Sequence, residues 1–100
     1  MPSVKFSPGA LSDMERLRDF LQIKNPIVSQ KVAATIVQSL QILGKHPQIG
    51  RPADGMEPEY REMVISFGQS GYVALYRFDG ESVIILAIRH QLKAGYGVEA

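Results

Sequence analysis

The side chains best suited to chemistry in this sequence are basic and tyrosine residues near the ends of apolar segments. They are Arg61, Arg77, Arg89, His90, Lys93 and Tyr96. A histidine just after a strand titrates near neutral pH and exchanges protons, and a tyrosine in a polar tail stacks on nucleic acid bases. The simpler interpretation is structural: His90 is hydrogen-bonded, and each arginine is a solvated strand terminus paired with a nearby carboxylate. The carboxylates available for such pairs are Glu62, Asp79 and Glu81.

Other kinds of catalytic or cofactor site lack their ligands. His46 and His90 lie in different segments with no carboxylate at ligand spacing, so no metal site is expected. No glycine opens a helix after a strand, which argues against nucleotide binding. The chain has no cysteine, which excludes disulfides and thiolate chemistry. The sequence therefore predicts no cofactor and no metal.

Length and composition predict one globular domain over residues 1–100. Hydrophobic residues make up 45% and charged residues 21% of the 100 residues, as in ordinary folded proteins. The net charge of +1 divides into +3 in the first half and −2 in the second, weak evidence for a polyanionic partner. The longest apolar run is Val83 to Ile88, too short to span a membrane. The N-terminus lacks a secretory pattern, so a cytoplasmic location and no membrane partner are expected.

Two helices are predicted in the first half. Ser7-Pro8 is an N-cap followed by proline, and apolar residues at three- and four-residue spacing continue the helix to Lys24. A capping box of Ser12 with Glu15 would instead start it one turn later. Asn25-Pro26 repeats the same start signal, and a second apolar stripe runs to Gly44. The short corner between the two helices predicts a helical hairpin.

The second half predicts an antiparallel meander of three strands. They are Arg61 to Phe67, Tyr72 to Phe78 and Ser82 to Arg89. Both faces of the second strand are apolar, which makes it central. Val4 to Phe6 adds a short strand at an edge. The expected fold is α+β, a helical hairpin packed on an antiparallel sheet in the order β-α-α-β-β-β. In this arrangement Arg61 and Arg77 share one end of the sheet, and Arg89 lies at the other.

The order and spacing of these motifs resemble the RelE/ParE superfamily of bacterial type II toxin-antitoxin toxins. The resemblance spans nearly the whole chain, from the two helix starts to the Gly-Tyr at Gly71-Tyr72. The segments HPQIGRP, from His46, and IRHQLKAGY, ending at Tyr96, are similar to the ParE-like branch, often called plasmid-stabilisation proteins. The resemblance implies a helical hairpin packed on an antiparallel sheet.

Two mechanisms occur among such toxins. RelE-like members are endoribonucleases that cleave mRNA on the ribosome with basic side chains of the sheet, and Arg61, Arg77, Arg89, His90 and Tyr96 would be the candidates here. They usually carry arginine after the Gly-Tyr and again before the terminal tyrosine. Here Val73 and Gln91 stand at those positions. The missing arginines make RNA cleavage the less favoured alternative.

ParE-like members poison DNA gyrase without catalysis of their own and are neutralised by a cognate antitoxin. The resemblance favours this function, with a homodimer or a larger toxin-antitoxin assembly as a possible state. Arg89, His90, Lys93 and Tyr96 are the predicted target-binding residues. A third alternative is a non-toxic binding module with the same fold.

Overall fold

Two helices form a hairpin on one face of a five-stranded sheet. The structure, a computed structural model, describes residues 2–68 and 70–91. Its elements are β1 (Ser3–Phe6), α1 (Pro8–Lys24), α2 (Pro26–Leu40), a 3-10 turn (Gln41–Gly44), β2 (Arg51–Pro52), β3 (Tyr60–Phe67), β4 (Ser70–Phe78) and β5 (Ser82–His90). The predicted α+β class and the helical hairpin are confirmed. In the described part of the chain, neither helix combines the length and apolarity needed to cross a membrane.

The helices begin at the predicted caps. The Ser7 hydroxyl accepts a hydrogen bond from the Ala10 amide at 3.0 Å, so α1 starts at Pro8 and not at the alternative capping box. The Asn25 side chain accepts from the amides of Ile27 and Val28, both at 3.2 Å. The α-helical part of α2 ends at Leu40, and the predicted extension to Gly44 is a 3-10 turn.

The strand order is β1-β5-β4-β3-β2, so β4 is central as predicted. The pairs β3–β4 and β4–β5 are antiparallel, and the turn after Asp79 contains Gly80 at φ +99°, where glycine is favoured. One expectation was wrong: the sheet is mixed, because β1 runs parallel to β5. Two helices and three strands separate β1 from β5 along the chain, so no tight turn requires them to be antiparallel.

The core lies between the helical hairpin and the sheet. Val32, Ile36 and Leu40 of α2 pack with Tyr72 and Tyr76 of β4, and all five are buried. Ser29, the buried polar residue of α2, donates a hydrogen bond to the Arg18 carbonyl of α1 at 3.1 Å. Because buried polar groups need partners, this contact helps to hold the two helices together.

A bulge in β5 decides which side chains reach which face. Leu75 pairs with Ala87 and Tyr76 with Ile85, so Leu86 is the extra residue. Ile85 and Ile88 therefore both point into the core, although three positions separate them. Arg89 consequently shares a face with Val73, and His90 shares the hairpin face with Tyr72. We call the sheet face opposite the helical hairpin the open face.

Candidate functional site

The structure separates the candidate residues that it describes. Arg61 pairs in register with Tyr76, and Arg77 pairs with Tyr60, so both arginines lie at one end of the sheet as predicted. Arg89 pairs with Val73 near the other end. The side chains also divide between faces: Arg61 and His90 belong to the hairpin face, and Arg77 and Arg89 to the open face. Lys93 and Tyr96 lie outside the described residues.

Arg61 and Tyr76 bind the loop that follows the 3-10 turn. Nη1 of Arg61 donates to the carbonyls of Gly50 at 2.6 Å and Gln48 at 3.2 Å. The Tyr76 hydroxyl donates to the Pro47 carbonyl at 2.8 Å and accepts from the Gly50 amide at 3.0 Å. Burial raises the pKa of Tyr76 above its usual value of 10.0, although the Gly50 hydrogen bond and the Arg61 charge oppose this. The phenol is thus a neutral structural group, and Arg61 is bound by carbonyls where carboxylates were predicted.

A close approach of the backbone fixes the same loop. A Cβ at Gly50 would lie 2.5 Å from the Glu62 carbonyl oxygen and 2.7 Å from the Tyr76 hydroxyl oxygen. These distances are shorter than van der Waals contact, so any larger residue would push the loop away from β3. The motif from His46 to Pro52 therefore has a structural basis in this packing.

Arg77 is held by carboxylates at the rim of the open face. Its Nε and Nη2 donate to the same oxygen of Glu59 at 3.2 and 3.1 Å, and Nη1 lies 3.8 Å from Asp79. The Glu59 hydrogen bond raises the pKa of Arg77, and the hydrogen bond from the Ser82 amide lowers the pKa of Asp79. Asp79 was among the predicted partners, and Glu59 was missed.

A shallow cavity of about 120 Å³ lies at the centre of the open face. Its lining consists of Glu62, Val73, Leu75, Ala87 and Arg89. Val73 is 5% exposed, and Glu62 accepts a hydrogen bond from Nε of Arg51 at 3.2 Å. The cavity therefore combines apolar side chains with one carboxylate and one exposed guanidinium.

A larger groove of about 740 Å³ separates α1 from the end of the sheet. Its lining is mainly apolar and aromatic, with Asp13, Arg16 and Arg89 at the rim. His90 lies against Tyr72 edge to face with ring centroids 5.3 Å apart, and burial raises the pKa of Tyr72. Phe20 of α1 is 56% exposed beside this groove. A volume of this size accepts apolar side chains of a partner.

Asp13 closes the strand edge that faces this groove. One carboxylate oxygen accepts from the Ile88 amide of β5 at 2.9 Å, and the other binds Arg16. β1 ends at Phe6, which pairs with Ile85, so Ile88 lies beyond the paired part of that edge. Asp13 was not among the predicted site residues, since its partner Ile88 is distant along the chain. Within residues 2–68 and 70–91, no group of three or more histidine or carboxylate side chains could hold a metal ion.

Comparison with known proteins identifies the family. Residues 4–95 match the family described as "ParE toxin of type II toxin-antitoxin system, parDE". Toxin RelE3 of Caulobacter vibrioides is 33% identical over 93 residues, covering 93% of this chain and 98% of that protein. Toxin RelE1 of the same organism is 34% identical over 91 residues, covering 91% of this chain and 95% of that protein.

Two solved structures are similar in fold. A chain of the chromosomal ParDE toxin-antitoxin system from P. aeruginosa superposes with a TM-score of 0.72 at 22% identity, covering 90% of this chain and 96% of that one. A chain of the RelBE2 toxin-antitoxin complex from Mycobacterium tuberculosis superposes with a TM-score of 0.60 at 24% identity, covering 91% of this chain and 100% of that one. The family match, the curated relatives and the shared fold agree, and the chain belongs to the ParE toxin family of type II toxin-antitoxin systems, within the RelE/ParE superfamily.

Proposed function

We propose that this toxin poisons DNA gyrase and that a cognate antitoxin neutralises it. The observation that supports this proposal is the chemistry of the open face. Val73 stands where ribonuclease members of the superfamily carry arginine, and it is buried beside Leu75 and Ala87. The neighbouring Glu62 is a carboxylate paired with Arg51, so it does not supply the missing positive charge. Loss of one charge-stabilising donor costs an enzyme about 2.7–4 kcal/mol of transition-state stabilisation.

The three candidate arginines in the described part of the chain are too dispersed to form one phosphate site. Arg61 is bound to carbonyls on the hairpin face, and Arg77 is bound to Glu59. Arg89 pairs with Val73, four residues along β4 from Arg77, a separation of roughly 13 Å at about 3.3 Å per residue. Cleavage needs donors arranged around a single phosphate, so this dispersion favours binding over catalysis.

The gyrase-binding residues that we propose are Arg89, His90, Lys93 and Tyr96. Arg89 is exposed at the edge of both the groove and the open-face cavity. A basic side chain at the end of the last strand is suited to an acidic partner surface, and Lys93 continues the same charge along the sequence.

The groove beside α1 is the surface that we propose for the antitoxin. Its apolar lining and exposed Phe20 suit a helical or extended antitoxin segment that buries leucine or valine side chains. The similar P. aeruginosa and M. tuberculosis chains belong to toxin-antitoxin systems, which supports an antitoxin partner here. We expect the product of the neighbouring gene to be that partner.

The test uses purified gyrase and supercoiled plasmid, with cleaved DNA complexes as the measured product. We expect the toxin to make these complexes accumulate, and the co-purified toxin-antitoxin complex to leave them at the level of gyrase alone. No accumulation with the free toxin would reject gyrase as the target. Separation of toxin and antitoxin on sizing at micromolar concentration would reject the proposed neutralisation.

A RelE-like mRNA endoribonuclease is the second candidate, because the two curated relatives are named RelE3 and RelE1. Its test is cleavage of mRNA on translating ribosomes. Cleavage by the wild type that is lost on Arg77→Ala or His90→Ala would replace the gyrase proposal with this one. If expression causes no growth defect in bacteria, the fold serves as a non-toxic binding module.

A further inference from the structure

Acidic residues are absent from one long segment of the chain. All ten Asp and Glu residues lie outside the segment from Phe20 to Ala53. This segment contains four basic residues, namely Lys24, Lys31, Lys45 and Arg51, in a protein with a net charge of only +1. It forms the end of α1, all of α2, the 3-10 turn and the loop that leads into β2. No carboxylate within this segment therefore offsets the charge of Lys24, Lys31 and Lys45, while Arg51 pairs with Glu62 outside it.

The outward side of α2 and of the turn and loop that follow it carries two of these basic residues, Lys31 and Lys45, together with apolar side chains. Ile27, Lys31, Gln38, Ile42, Lys45 and Ile49 are all exposed, and we call this set the α2 face. The first five follow helical spacing on the side opposite Val32, Ile36 and Leu40, which are buried against the sheet. With 15 residues, α2 alone presents about 22 Å of length.

The far end of the α2 face is anchored by hydrogen bonds to β3 and β4. Ile42, Lys45 and Ile49 surround one open groove of about 570 Å³. Ile49 is 55% exposed, although hydrogen bonds hold both of its neighbours. The Tyr76 hydroxyl and Arg61 both bind Gly50, and Arg61 also binds Gln48. A loop held in one conformation loses little entropy on binding, so an exposed isoleucine there is an effective contact residue.

We propose that the α2 face docks on an acidic, partly apolar surface of the toxin's protein target. This inference rests on the proposed function in taking that target to be gyrase. Charge complementarity selects an acidic partner, because the face has lysines and no carboxylate. Ile27 at 66% exposure, with Ile42 and Ile49, selects a protein over DNA, whose backbone offers phosphates but no apolar pockets.

The α2 face is separate from the groove proposed for the antitoxin. The groove lies on the inward side of the hairpin, where Val28 and Val32 of α2 contribute to its lining. Lys31 and Lys45 are exposed and absent from that lining. A variant of the α2 face should therefore lose target binding and retain the antitoxin, whereas a misfolded variant would lose both.

The experiment compares the double variant Lys31→Glu/Lys45→Glu with the control Lys5→Glu/Arg18→Glu. All four side chains are exposed and both variants change the net charge equally. Affinity is measured for purified gyrase, for a 20-base-pair duplex and for the antitoxin, and growth arrest is measured on induction. We expect the first variant to bind gyrase at least about tenfold more weakly, and the control to stay within about threefold of wild type, with antitoxin binding retained in both.

The other results either overturn the inference or change the partner that it names. Equal losses in both variants, or no loss in either, would overturn the α2 face as a docking surface. A parallel loss of duplex binding in the first variant would assign the face to DNA. If the wild type fails to bind gyrase, the proposed function is wrong. Growth arrest then decides whether the α2 face docks on a different protein. Arrest lost only in Lys31→Glu/Lys45→Glu supports docking on another protein target. Unchanged arrest, or none with the wild type, overturns the inference.

Discussion

Tyr76 connects the centre of the sheet to the loop from His46 to Pro52. Its hydroxyl makes two hydrogen bonds to the backbone of that loop, at Pro47 and Gly50, and its ring is fully buried. Tyr76→Phe leaves the Gly50 amide and the Pro47 carbonyl without this partner, so we expect a loss of about 1–3 kcal/mol in the free energy of unfolding. Urea denaturation measures it.

Tyr60→Phe is the matched control for Tyr76→Phe. Tyr60 lies on the neighbouring strand β3 with a partly exposed side chain, so its change should remain within about 0.5 kcal/mol. Equal effects of the two substitutions would mean that the Tyr76 hydrogen bonds do not stabilise the loop.

Individual side-chain roles were predictable where they follow from strand alternation. Tyr72 and Tyr76 are buried as expected from a doubly apolar strand. The partners of Arg61 were not predictable, because two carbonyls bind it and backbone carbonyls are the same at every position of a sequence. Sequence patterns report which side chains are charged, but a loop conformation decides which carbonyls they reach.

At the scale of elements, the helix starts provide a direct test of the capping assignment. Asn25 accepts hydrogen bonds from two amides at the start of α2, and Asn25→Ala removes both acceptors. We expect a loss of about 1 kcal/mol in the free energy of unfolding. Ser12→Ala removes the alternative cap inside α1 and should change stability by less than about 0.5 kcal/mol. A larger effect at Ser12 than at Asn25 would contradict the observed helix starts.

Elements defined by local signals were predicted closely, and those defined by distant partners were not. α1 has the predicted bounds, and β3, β4 and β5 differ by one or two residues. The two-residue strand β2, the parallel direction of β1 and the bulge at Leu86 were missed. Each depends on pairing with a strand elsewhere in the chain, which hydrophobic periodicity does not encode. The bulge matters for function, because it decides that Arg89 lies on the open face and His90 on the hairpin face.

On the scale of the whole molecule, different sides of the fold carry different chemistry. The groove beside α1 is mainly apolar, the α2 face combines two lysines with three isoleucines, and the centre of the open face contains Val73 and Glu62. A protein that acts by binding can spread its contacts over several surfaces, whereas a nuclease needs one site where cations converge. The distribution of these side chains therefore fits the first kind of protein better than the second.

Truncation after Gln91 tests whether the predicted target-binding residues Lys93 and Tyr96 are needed. β5 is complete at His90, and the Gln91 side chain lies close to Gly71, where a Cβ would be 2.8 Å from its amide oxygen. Because the core strands are intact, we expect the truncated chain to keep its circular dichroism spectrum. We also expect it to lose accumulation of cleaved gyrase complexes, by about tenfold or more, since it lacks part of the contact surface. Lys93→Ala/Tyr96→Ala in the full chain should reproduce most of the loss. A truncated toxin that poisons gyrase at wild-type level would exclude these residues and leave Arg89, His90 and the α2 face as the contact surface.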